Sequence, residues 1–193
     1  MGGWNGAICL ASRAMMISGR NIWNAQEFSG RLAQNIGADK TWPKLLEKGG
    51  YETYMTGKWH VKADAESIFQ NVVHVRPGMP NQTPEGYDRP RSEADTTWQP
   101  WDNSYEGFWK GGKHWSEVLA DDALGFLEKA EKSDAPFMMY LAFNAPHDPR
   151  QAPKEFVDMY PVESIALPPS HMAMYPYKDS IGLSEKLRDS IST

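Results

Sequence analysis

SEVLADDALGFLEKAEKSDAPFMMYLAF, residues 116–143, decides the fold. Its first half puts Val118, Leu119, Ala123, Phe126, Leu127 and Ala130 on one stripe at helical spacing, which predicts an amphipathic helix over 116–132. Pro136 breaks that pattern, and Phe137-Met138-Met139-Tyr140-Leu141-Ala142-Phe143 then runs apolar without interruption as far as Asn144. A short run that is apolar on both sides of the pleat predicts a buried strand. Helix followed by buried strand is the unit of an α/β sheet.

Reading outward, Thr41 is placed to cap a short helix through Leu45 and Leu46, stopped at Gly49-Gly50. Tyr51 to Thr56 reads as a strand that enters the loop Gly57-Lys58-Trp59-His60. Nearer the start, Ala11 to Ile17 reads as a helix ended by Gly19. Residues 71–113 are rich in Pro, Gly, Asp and Trp without a period, and are expected to form a long surface insertion. Trp98, Trp101, Trp109 and Trp115 are expected to pack that insertion rather than to form a stacking surface for a sugar. The tail after Pro149 reads as loop, with prolines at 153, 161, 168, 169 and 176, and Leu187-Arg188-Asp189-Ser190 reads as cut in mid-domain.

Composition excludes several classes. Forty per cent hydrophobic residues and eight tryptophans in 193 residues are incompatible with disorder. A net charge of −5 carries no basic footprint, so no nucleic-acid partner is expected. No apolar run reaches the length of a membrane span, and Met1-Gly2-Gly3-Trp4 does not open as a secretory leader. One cysteine permits no internal disulfide.

That cysteine stands in Ile8-Cys9-Leu10-Ala11-Ser12-Arg13, followed by Ser18-Gly19-Arg20. With Gly50-Tyr51-Glu52-Thr53-Tyr54-Met55-Thr56-Gly57-Lys58-Trp59-His60 and Asn144-Ala145-Pro146-His147-Asp148-Pro149 downstream, nearly the whole chain resembles the type I, formylglycine-dependent sulfatases of the alkaline-phosphatase-like superfamily. The resemblance implies an α/β fold, a mostly parallel sheet flanked by helices, with residues 1–193 forming part of one catalytic domain. It implies a sulfuric ester hydrolase acting on a sulfated small molecule or carbohydrate. Cys9 would be oxidised to formylglycine (3-oxoalanine) by a formylglycine-generating or radical-type maturation enzyme. Its hydrate would be nucleophile and metal ligand, one hydroxyl attacking sulfur and the other collapsing to expel sulfate. Arg13 would hold the hydrate, Lys58 would contact the sulfate, His60 would assist the collapse, and His147 would bind sulfate or protonate the leaving oxygen.

The pattern departs from the family's in places. Ala11 stands where the commonest core has proline, which bears on the maturing enzyme, and Ser18 stands where threonine is favoured. The resemblance also implies one Ca2+, held by an aspartate pair upstream of the cysteine and by a distant Asp-Asn pair with a lysine. Of those ligands only Cys9 is in this chain, which is therefore expected to be an internal fragment missing its first strand and C-terminal part. As such it would be inactive alone, and exported family members suggest a periplasmic or extracellular place. A phosphonate or phosphate monoester hydrolase of the same superfamily, and an inactive glycan-binding pseudoenzyme, are the competing functions. Asp121-Asp122 reads as a solvated helix face, His74 and His171 read as surface histidines in proline-rich loops, and His114 is left open.

Overall fold

The computed structural model describes residues 8–76, 83–87 and 94–170. The described residues group into two compact units, 8–76 with 115–145, and 83–87 and 94–114 with 146–170.

The first unit is built on three parallel strands, β1 (Glu52–Lys58), β2 (Asn71–Arg76) and β3 (Phe137–Ala142), in the order β2-β1-β3. The α/β class is thus as expected. Among the described residues four α-helices belong to it: α1 (Cys9–Ser18), α2 (Ile22–Leu32), α3 (Trp42–Lys48) and α4 (Trp115–Ala130). Successive side chains of β1 point to opposite faces, and each face has its own core. Met55 packs with Ile17 of α1, Trp59, Ile68 and Phe69, and Trp42 of α3 and Tyr140 of β3 border this cluster. Tyr54 packs on the other side against Phe126 and Ala130 of α4, with ring centroids of Tyr54 and Phe126 5.1 Å apart. Each large side chain buried in this way contributes about 1.5–3 kcal/mol. Residues 53–58 of the central strand are buried throughout.

Local chemistry sets the element ends. Gly19 adopts φ +64, and the amide of Arg20 bonds back to the Met15 carbonyl, which closes α1 as a left-handed glycine can. Asn21 caps α2 by accepting from the Asn24 amide at 3.1 Å. Thr41 precedes α3 as expected, but its hydroxyl donates backwards to the Ala38 carbonyl at 2.6 Å and caps nothing. Gln70 and Thr53 exchange two hydrogen bonds at the entry to β2.

Three expectations are corrected. Residues 71–76 form a paired strand, not the start of an insertion. Strand β3 is only partly buried, with Phe137 and Met138 46% and 37% exposed, because within the described sheet it lies at the edge. Lys154–Asp158, in the tail read as loop, is a short helix, α5.

In the second unit Trp98, Trp101 and Trp109 have partners within the unit itself. Trp98 stacks on Tyr105 and donates to the Glu85 carbonyl. Trp109 donates to the Pro100 carbonyl, and Trp101 lies under the Lys154 ammonium. His114 is buried, with Nε2 3.1 Å from the Gln151 carbonyl oxygen. In the first unit Trp115 donates to Asn144 Oδ1. No helix among the described residues is long and apolar enough to cross a membrane.

Candidate active site

Cys9 is the first residue of α1, so its side chain sits where the unpaired amides of a helix start point. Ile8, the residue before it, supplies no side-chain cap, and the first turn holds no acidic residue. Cys9 is half-buried, and its Sγ lies 3.0 Å from Nδ1 of His60.

His60 reaches that position because β1 ends in a distorted turn. Gly57 takes φ +100, the pairing of β1 with β2 slips by a residue between Thr56 and Gly57, and His60 itself has φ +49. A Cβ at Gly57 would lie 2.2 Å from the Ala142 carbonyl oxygen and 2.6 Å from Leu119 Cδ2, so only glycine lets β3 and α4 come this close. Trp59, between Lys58 and His60, is buried and donates to the Ala63 carbonyl, anchoring the turn. The site therefore forms at the carboxyl end of the central parallel strand, where open α/β sheets bind ligands.

Arg13 lies one helical turn after Cys9. Its Nη1 donates to the Lys58 carbonyl at 2.7 Å and to the Tyr140 hydroxyl at 2.6 Å. Lys58 is almost wholly buried. Burial pushes its ammonium below the usual lysine value; nearby Cys9 works against that shift and Arg13 adds to it. Among the described residues no carboxylate pairs with Lys58 or Arg13. The Lys58 ammonium thus acts on the Cys9 sulfur, Arg13 is tied to the same strand end through the Lys58 carbonyl, and among the described residues the helix start has no side-chain cap. A cavity of about 480 Å3 adjoins His60, lined also by Leu10, Trp59, Lys62, Asp64 and Glu66 among others.

The structure brings Cys9, Arg13, Lys58 and His60 into one connected cluster in the first unit. His147 is exposed, follows the end of β3 and belongs to the second unit.

Asp121 and His74 are exposed as expected, but the reading of Asp122 and the loop placement of His74 are corrected. Asp122 accepts from the buried Thr56 hydroxyl at 2.6 Å and lies 2.8 Å from His74 Nδ1. His74 is an exposed residue of β2 with φ +42, placed at the register slip, and not in a loop. His171 lies outside the described residues.

A family model described as "Sulfatase" matches residues 4–175 of the chain. The chain belongs to the sulfatase family. Among relatives, the uncharacterized sulfatase YdeN of Escherichia coli (strain K12) is 29% identical over 166 residues, which cover 74% of this sulfatase chain and 28% of YdeN. An N-acetylglucosamine-6-O-sulfatase of Bacteroides thetaiotaomicron is 30% identical over 142 residues, 70% of the chain and 22% of that protein. An ulvan-active sulfatase of Formosa agariphila is 26% identical, with 84% and 31% covered. The chain thus spans between about a fifth and a third of the length of these curated relatives. The crystal structure of Ps i-CgsB in complex with k-i-k-neocarrahexaose matches with a TM-score of 0.54 and 23% identity, over 80% of this chain and 38% of that one. That likeness shows the shared fold.

Proposed function

We propose that the full-length protein carrying this chain hydrolyses sulfate esters, and that Cys9 acts after oxidation to formylglycine. The observation that carries the reading is the Cys9 sulfur at the first residue of a helix, 3.0 Å from His60 and within electrostatic reach of the buried Lys58, which has no carboxylate partner among the described residues. Such a site is built for a monoanion or dianion at the position of the sulfur. The hydrated aldehyde supplies one hydroxyl to attack the ester sulfur and a second whose proton loss releases sulfate, an exit that a thiol lacks. The net reaction consumes one water and yields alcohol and sulfate.

The chain's own residues then divide the work. Lys58 binds the sulfuryl oxygens, and Arg13, beyond the hold on the hydrate that the resemblance implies, is assigned to them as well, so that both hold the charge that builds there. His60 Nδ1, now facing Sγ, takes and returns the proton of the oxygen that replaces sulfur. His147 is assigned the proton of the leaving oxygen, on the motif it shares with the family.

The described residues hold no group of three or more His, Cys, Asp or Glu able to take a metal. They therefore do not build a calcium cage by themselves, and Cys9 is the one metal ligand assigned to this chain. The maturation enzyme, the exported location and the sulfated carbohydrate or small-molecule substrate belong to the same proposal.

The test compares the full-length protein, co-expressed with a formylglycine-generating enzyme, on 4-nitrophenyl sulfate and 4-nitrophenyl phosphate. Sulfate is expected to be the faster substrate, and Cys9→Ala to lower kcat/KM about 10^3-fold or more. Faster phosphate turnover, or full activity in Cys9→Ala, would sink the reading.

A further inference from the structure

We propose that Tyr140 is a positioning residue that aims the Arg13 guanidinium at the sulfate, an inference that rests on the proposed role of Arg13. The motif around Cys9 gives no hint of it, because the partner is 127 residues away in β3.

The argument is a count of hydrogens. A guanidinium has five N–H donors in a fixed planar fork. Arg13 spends Nη1 on two acceptors, the Lys58 carbonyl at 2.7 Å and the Tyr140 oxygen at 2.6 Å. The hydrogens of Nε and Nη2 bond nothing among the described residues. The fork is therefore held at one nitrogen, which leaves its Nε–Nη2 edge, the edge that binds an oxyanion through two parallel bonds. With the Lys58 carbonyl alone, the guanidinium could pivot about a single bond.

Tyr140 is itself fixed. Its ring stacks on Phe69 at 6.1 Å and 13°, with Trp42 edge-on at 6.4 Å, and its backbone pairs with Met55. Burial pushes the pKa of its phenol above the ordinary tyrosine value, against a smaller opposing pull from Arg13, so the oxygen meets Arg13 as a neutral acceptor. The strand end, the ring stack and one hydroxyl together set the direction of a catalytic cation.

The test uses Tyr140→Phe, Arg13→Lys and the double variant in the full-length protein. Three quantities are read: kcat/KM on 4-nitrophenyl sulfate, the Kd of inorganic sulfate for protein in which Cys9 is not oxidised, and Tm. Tyr140→Phe is expected to lower kcat/KM about tenfold and weaken sulfate binding several-fold, with Tm within about 2 °C of wild type. In the Arg13→Lys background the same change is expected to cost less than about twofold, since it acts through Arg13. Wild-type values for Tyr140→Phe, or an undiminished loss beside Arg13→Lys, overturn the proposal. So does a collapse of Tm, which would show that the hydroxyl serves the core. A wild-type protein inert on the sulfate ester removes the proposed function instead, while sulfate affinity still judges Tyr140. Failure of wild type to bind sulfate removes both.

Discussion

Gly57→Ala is the substitution with the sharpest predicted consequence. Two costs add. A side chain at φ +100 sits in a region that non-glycine residues avoid, at about 1–3 kcal/mol. The new Cβ would also stand 2.2 Å from the Ala142 carbonyl oxygen, where real Cβ atoms essentially never come under 3.0 Å. The difference, 3.0 − 2.2, requires a backbone carbonyl of β3 to move by about 0.8 Å, and Leu119 with it. Overpacking of that kind costs about 1–3 kcal/mol more. The total, about 2–6 kcal/mol, is a large part of the 5–15 kcal/mol that holds a typical domain together. Gly50→Ala is the internal control: φ is +86, but nothing lies within 4 Å of the added Cβ, so only the conformational cost applies. Urea unfolding of the full-length variants, followed by tryptophan fluorescence, should therefore destabilise Gly57→Ala by about 1–3 kcal/mol more than Gly50→Ala. Activity should separate them further, because Gly57 sets the turn that carries Lys58 and His60. Equal midpoints for the two variants would refute the close-approach argument.

Three more outcomes are expected. Asp122→Ala leaves the buried Thr56 hydroxyl without its acceptor and frees His74, and should cost about 1–3 kcal/mol in the same unfolding assay. Tyr54, which donates to Glu52, has its phenol pushed up to about 12, chiefly by burial and then by Glu52. Its folded value lies above the ordinary 10.0, so its contribution is complete below pH 10 and is lost as pH rises through about 12; a pH series of Tm should show less alkaline loss in Tyr54→Phe. Burial lowers the Lys58 value, so the cost of keeping that ammonium charged is full below its folded value and fades as pH rises towards 10.5. Lys58→Met should accordingly raise Tm near neutral pH and abolish the stabilisation that inorganic sulfate gives the wild type, both read by scanning fluorimetry.

Much of this was legible in the chain itself, for physical reasons that also explain the rest. The α4 stripe and the β1 strand are local patterns, and the cysteine, lysine and histidine motifs stand on or beside them. Helix α2 carries local signals too: Asn21 is a cap, and Ala25, Phe28, Ser29 and Leu32 bury at helical spacing. Strand β2 hides because its valines are followed by proline and glycine, and its partner is a parallel strand that no turn announces. Asp122 looks like a solvated helix residue until Thr56 and His74, 66 and 48 positions away, are brought to it. Tyr140 reads as one apolar residue in a run, since nothing local marks a hydroxyl that serves an arginine from another helix.

The distance between Arg13 and Tyr140 also sets a clock. Synthesis at about 5–20 residues per second delivers Tyr140 some 6–25 s after Arg13, given the 127 residues between them. Throughout that interval β3 does not exist, and neither does the second hold on the guanidinium. If Cys9 is oxidised as proposed, the enzyme that does it would find its easiest approach then, before Tyr140 holds Arg13.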